Sequence, residues 1–139
     1  MKRNLILLSA LLVFAAACRP AASPHRVFEA GQAEMHVGES LDDVQSGSML
    51  TFVEIVQDSR CPADAICISS GFVQARFAIQ EGDSTRTAIL TLGDMASGDT
   101  NVTTVGEFTV TLLEVNPYPL ASAPVDYADY TVTLDLYAD

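Results

Sequence analysis

A hydrophobic period of two constrains this chain more than any other feature. Between residues 72 and 80, Val73, Ala75, Phe77 and Ile79 alternate with Gln74, Arg76, Ala78 and Gln80. An extended strand puts such a set on one face, whereas a helix scatters it round its circumference. Glu81-Gly82-Asp83-Ser84 follows with turn chemistry, and residues 85–92 read as the returning strand. Residues 49–57 form a further strand, with Thr51, Val53 and Ile55 on one face and Leu50, Phe52 and Val56 on the other. Residues 107–115 and 130–137 complete the strong set. In the last, Tyr130, Val132, Leu134 and Leu136 alternate with Thr131, Thr133, Asp135 and Tyr137. Weaker strands are expected at 27–30, 34–37 and 101–105. Sheets with one apolar face must stack or close to bury it. The predicted fold is therefore all-β: an antiparallel β-sandwich of the Ig-like, Greek-key type, with about six to eight short strands. The Pro-rich segment 116–124 is expected to be the long crossover of the Greek key.

The amino-terminal segment has a different character. Met1-Lys2-Arg3 precedes an apolar run over residues 5–17 and then Ala15-Ala16-Ala17-Cys18. A spanning helix needs about 20 apolar residues, so the run reads as the apolar core of a signal helix. The segment resembles the signal peptide of bacterial lipoproteins, with Ala15 where those signals usually carry Leu. The resemblance implies cleavage after residue 17 and lipidation of Cys18. Ala15-x-Ala17 also fits ordinary secretory cleavage, which would leave a free Cys18 thiol. The chain has three cysteines, an odd number; Cys61 and Cys67 lie close together, and lipidation accounts for the one left over. Among such lipoproteins Asp after the lipidated Cys is a common inner-membrane retention signal. Arg19 stands there instead, so the periplasmic face of the outer membrane is the expected location. Residues 18–26 contain Pro20 and Pro24 among small residues and read as a tether. Residues 27–139 are the single domain.

Without residues 1–17 the chain keeps five arginines, no lysine and 18 acids, a net charge of −13. Such a surface repels nucleic acid and anionic head groups, so neither is an expected partner. It favours a soluble monomer.

The locally distinctive stretch is Asp58-Ser59-Arg60-Cys61-Pro62-Ala63-Asp64-Ala65-Ile66-Cys67, followed by Gly71. A Cys61–Cys67 disulfide would close a compact loop, worth about 2 kcal/mol in the chain-entropy model, and Pro62 stiffens it by fixing φ. Asp58 and Arg60 share a strand face. They can pair with each other, or Asp58 can accept loop amides while Arg60 reaches an acid on a neighbouring strand. The stretch resembles a group of small bacterial exported proteins and lipoproteins that carry Asp-Ser-Arg-Cys-Pro, a second Cys and then a Gly opening a strand. Those relatives often have Trp shortly after the second Cys. Here Ser69-Ser70 stand there, and the chain has no Trp. The resemblance implies no reaction. The plainer reading of the loop is a structural staple. The sharper one is a presented loop offering residues 63–66 to a partner such as a protease cleft, with Asp58, Arg60, Pro62 and Asp64 as candidate binding residues.

Other candidates carry less. Met35-His36 has copper-binding side chains, but adjacent strand residues face opposite ways. Gly82-Asp83-Ser84 lacks the nucleophile-elbow pattern and reads as a turn. The loop at 93–101 offers Asp94, Asp99 and Asn101 without calcium-loop spacing. Tyr127 and Tyr130 read as a core rim. Asn101-Val102-Thr103 matches a glycosylation sequon. No cofactor, metal or catalytic set is expected. The expected role is a non-catalytic binding or envelope-accessory module, held to the membrane by its lipid and able to meet an envelope protein. The alternatives are an inhibitor presenting the disulfide loop and a small hydrolase whose site is assembled from residues distant in sequence.

Overall fold

Alternation in the sequence becomes burial in space. In the computed structural model, which describes residues 25–138, every second residue of β5 (Phe72–Glu81) from Val73 to Ile79 is fully buried. The same holds along β9 (Thr131–Ala138), where Val132, Leu134 and Leu136 point inward. The remaining strands are β1 (His25–Val27), β2 (Gly31–His36), β3 (Ser40–Asp43), β4 (Ser48–Asp58), β6 (Ser84–Gly93), β7 (Val102–Val105) and β8 (Phe108–Asn116). They form two sheets, in the orders β1-β3-β4-β5-β6 and β2-β9-β8-β7. The inner faces meet in one core, in which the Phe52 and Phe77 rings lie 5.4 Å apart. The expected all-β sandwich is the fold. The signal segment 1–17, the lipidation site Cys18 and tether residues 18–24 lie outside the described residues. Among the described residues no helix is long and apolar enough to cross a membrane.

Four details differ from the sequence reading. The strands number nine among the described residues, because β3 was not anticipated and β1 takes in His25 and Arg26, assigned above to the tether. β3 reads Ser-Leu-Asp-Asp; its polar residues hide its strand character, yet Ser40 and Asp43 are buried. Ser40 shares a 2.8 Å hydroxyl contact with Thr51, and Asp43 accepts from the Gln45 amide and the Ser46 hydroxyl. One pairing, β1 with β3, is parallel.

The third difference is on β4. The pairing with β5 slips between Phe52 and Glu54, so the inward set is Leu50, Phe52 and Ile55, while Val53 and Val56 face out. A bulge adds one residue and inverts the phase of all that follow. Fourth, residues 116–124 do not cross between sheets. β8 and β9 are antiparallel neighbours, paired from Phe108–Ala138 to Asn116–Thr131, and the Pro-rich segment is the long connection between them. It closes one end of the sandwich, beside the β4–β5 connection that carries the two cysteines.

Candidate functional site

The end of β4 leads directly into the distinctive segment, and its first side chains turn inward. Asp58 and Arg60 form a bidentate ion pair in which both side chains are 9% exposed. Arg60 donates from Nε to Asp58 Oδ1 at 2.9 Å and from Nη2 to Oδ2 at 2.6 Å. Its backbone amide also donates to Oδ1, and the Tyr130 hydroxyl donates to Oδ2 at 3.0 Å. The guanidinium then reaches the opposite sheet, donating to the carbonyls of Val115 at 2.6 Å and Pro117 at 3.1 Å. It lies 4.7 Å from the centre of the Tyr118 ring, within cation–π range. Of the two arrangements expected for Arg60, pairing with Asp58 is the one adopted, and its second set of partners is carbonyl oxygen rather than a neighbouring acid.

The charges behave accordingly. Burial by itself would raise the Asp58 pKa, but the Arg60 side chain and amide, the Arg60 charge and the Tyr130 hydroxyl outweigh it and hold the carboxyl below its usual value. Tyr130 is pushed up to about 12, first by burial and then by its bond to anionic Asp58. This constellation joins the two sheets through satisfied polar groups. Its donors and acceptors are spent within the chain, which suits a clamp.

Beyond the clamp, Cys61 and Cys67 are disulfide-bonded with Cα atoms 5.9 Å apart. The base of the loop is held further by Cys61 N–H donating to Ser70 O at 2.8 Å and Ser59 N–H donating to Phe72 O at 2.8 Å. Its side is stitched to the β8–β9 connection. Ala63 N–H donates to Pro119 O at 3.0 Å, and the Asp64 carboxylate accepts from the amides of Ala121 at 2.6 Å and Ser122 at 3.1 Å. Those bonds lower the Asp64 pKa, the Ala121 amide foremost. Pro62 is half-buried at the loop base.

Gly71 closes the segment in a conformation only glycine adopts easily. Its φ is +69°, and a Cβ there would sit 1.9 Å from Ser59 O. The Gly71 amide donates to Asp94 Oδ2, and Asp94 N–H donates to Gly71 O, so the 93–101 loop packs onto the same end.

What remains unclaimed is apolar. Ile66 and Ile68 are fully exposed, with relative exposures of 103% and 108%. Tyr118 and Leu120 on the adjoining connection are also exposed. A cavity of about 330 Å³ opens at this end, lined by Val73, Leu92, Leu113, Val115 and Tyr118 together with Arg60, Ser70 and Glu114. Ile66 was the last residue of the segment expected to be presented. Ile68, Tyr118 and Leu120 were not singled out, and only the lack of a strand period around them hinted that they had no core to enter.

The lesser candidates fall apart in space. Met35 is buried while the His36 side chain is exposed, so the two cannot chelate together. Asp94 and Asp99 accept backbone amides and Asn101 donates to Leu112 O, which stitches the loop. Asp83 and Ser84 sit at the exposed β5–β6 turn. Among the described residues no three His, Cys, Asp or Glu side chains group as metal ligands.

These features define an all-strand sandwich with one end clamped, cross-linked and crowned by an apolar loop. No protein-family model matches the chain, and no match was found among curated proteins or solved structures.

Proposed function

We propose that this is an exported, lipid-tethered module with a non-catalytic role, meeting its partner through the disulfide-loop end of the sandwich. The tether is the thioether-linked lipid expected at Cys18, and the expected location is the periplasmic face of the outer membrane. The observation that carries the reading is the full exposure of Ile66 and Ile68 on a loop whose base is fixed. Two bare isoleucines cost solubility in a monomer unless something covers them. Fixing the loop beforehand lowers the conformational entropy lost on contact, which is how a rigid projection gains affinity.

Two further observations support a binding role over a hydrolytic one. The cavity at this end is walled mainly by Val73, Leu92, Leu113, Val115 and Tyr118, with Arg60, Ser70 and Glu114 as its other polar side chains. The carboxyls with displaced pKa values, Asp43, Asp58 and Asp64, are all displaced downward, which makes them fixed anions rather than proton donors near neutral pH. The inhibitor alternative draws on the same loop, but Ala63 and Asp64 are already tied to the β8–β9 connection and Cys67 to Cys61, which leaves the side chains of Ile66 and Ile68 to be offered.

The test places a photo-crosslinking residue at position 66 in the full-length chain in cells, with position 44, exposed on the β3–β4 turn at the far end, as the control. Cross-linked product from 66 and not from 44 supports the contact face; equal product from both, or none, refutes it. Mass spectrometry of the mature amino terminus separately tests acylation of Cys18.

A further inference from the structure

We infer that the cavity between the two sheets is a binding site for a compact, uncharged molecule with an apolar body and one carbonyl oxygen, which accepts a hydrogen bond from Arg60. The topology explains why a cavity lies there. β6 is an outer strand of its sheet. In the facing sheet, β7 pairs with β8 from Phe108 only as far as Thr111, so beyond Thr111 the same side of β8 has no strand neighbour. One corner of the sandwich is thus left without a covering strand on either sheet. Val73 and Leu92 wall the cavity from the first sheet, Leu113 and Val115 from the second, and Tyr118 from the connection that follows β8. Its volume of about 330 Å³ equals the liquid volume of about eleven water molecules and falls at the small end of ligand pockets.

A bulge supplies part of the wall. The pairing of β8 with β9 slips between Leu112 and Glu114. Leu112 and Val115 are buried, and both residues between them, Leu113 and Glu114, are exposed. The extra residue turns the Leu113 side chain out of the core and sets it at the cavity, 43% exposed. Bulges re-aim side chains in this way beside binding sites, and an apolar wall with a few fixed polar groups is what such a site needs.

Arg60 supplies the polar group. Each of its side-chain nitrogens has a partner within the chain: Nε bonds Asp58, Nη2 bonds Asp58 and Pro117 O, and Nη1 bonds Val115 O. A guanidinium carries five N–H bonds, and these contacts use four of them. The second Nη1 hydrogen has no acceptor among the described residues. A donor on a side chain only 9% exposed is costly to leave unmatched, and the cavity that Arg60 lines is where an acceptor can enter. Charge then selects a neutral one. Asp58 already balances the guanidinium, Glu114 stands at the wall, and the chain carries a net charge of −11, so a carboxylate gains no net attraction. A cation would lie against Arg60 and find the Asp58 oxygens already taken by Arg60 and the Tyr130 hydroxyl.

The cavity needs neither the lipid anchor nor a protein partner, and its test involves neither. The isotopically labelled protein, with Cys61–Cys67 oxidised, is titrated with acetophenone and followed by carbon- and nitrogen-edited NMR. Three probes with the same number of non-hydrogen atoms serve as comparisons: isopropylbenzene, which has a methyl group in place of the oxygen, and the ions benzoate and benzamidinium. Acetophenone should shift the methyl signals of Val73, Leu92, Leu113 and Val115 to saturation. Isopropylbenzene should bind at least about tenfold more weakly, the worth of a hydrogen bond to a charged group, and both ions more weakly than acetophenone. The signals of Val37, Val53 and Val56, which line a separate concavity beside β4, should stay in place. Leu113→Ser, at a half-exposed position, should weaken acetophenone binding several-fold while its urea midpoint stays near that of the parent. Arg60→Met should erase the preference for acetophenone over isopropylbenzene; if that variant does not fold, the same comparison in the parent decides the role of Arg60. The inference is overturned by the absence of saturable shifts, by equal shifts at both concavities, by isopropylbenzene binding as tightly as acetophenone, or by either ion binding more tightly.

Discussion

Arg60→Met is the sharpest test of how the two sheets are held together at the loop end. The substitution keeps much of the side-chain volume and removes the charge. Asp58 would keep only the Arg60 backbone amide and the Tyr130 hydroxyl, and the carbonyls of Val115 and Pro117 would each lose a donor. Both side chains of the pair are 9% exposed, so water cannot readily replace the guanidinium. Breaking a buried pair from one side costs about 3–5 kcal/mol, chiefly because the remaining charge is left without compensation. Native stability is only about 5–15 kcal/mol, so the variant should unfold at much lower urea concentration.

The pH dependence supplies a second reading of the same argument. In the native protein the Asp58 pKa is depressed below its usual value of 3.8. Its contribution to stability is therefore present above that value and is lost as pH falls through the folded pKa. In Arg60→Met the opposing effect, burial, is left to dominate and raises the folded pKa. The carboxyl then becomes easier to protonate, and its destabilising effect is relieved as pH falls. The gap between the two proteins should be widest at neutral pH and narrow toward acid. Urea unfolding followed by far-ultraviolet circular dichroism at several pH values measures both. Adding Asp58→Asn to Arg60→Met should recover part of the loss at neutral pH, because the uncompensated charge is gone. A loss below about 1 kcal/mol would place the pair with ordinary surface ion pairs and refute the clamp. So would a gap that does not change with pH.

Three other outcomes follow from the same end of the molecule. Gly71→Ala should cost at least about 3 kcal/mol in urea unfolding, since the new methyl group meets Ser59 O in a left-handed backbone conformation; near-native stability would contradict the close approach. The double change Cys61→Ser, Cys67→Ser should cost about 2 kcal/mol while the circular dichroism spectrum stays that of the parent, because the Ala63 and Asp64 bonds still hold the loop. In a spectrophotometric titration one tyrosine should ionise near pH 12 and disappear in Tyr130→Phe. Its raised folded pKa means that stability falls as pH rises from the ordinary tyrosine value, about 10, toward the folded one, so Tyr130→Phe should flatten the alkaline limb of the stability curve.

Local patterning was enough to place the core face of β5 and β9, because each strand's inward set depends only on which residues alternate. The cysteine pairing was legible for a similar reason: Cys61 and Cys67 are near neighbours in the chain, and the third cysteine had its own explanation. The same logic failed on β4 beyond Phe52, where the bulge that inverts the phase leaves no mark in a list of apolar residues. It failed on β3 because Ser40 and Asp43 earn their burial from partners elsewhere, Thr51 and the turn at residues 45–46.

Long-range pairing was beyond sequence for a more general reason. Alternation says which face of a strand is apolar, but neighbours in a sheet are chosen by backbone hydrogen bonds that are nearly the same for every residue. Only the folded chain could decide that the Pro-rich segment joins adjacent β8 and β9, or bring Val115, Pro117 and Tyr130 around a pair formed 55 to 72 residues earlier in the chain. The bare isoleucines follow the same division. Composition counts them as apolar, and the clamped, cross-linked loop is what holds them out of the core.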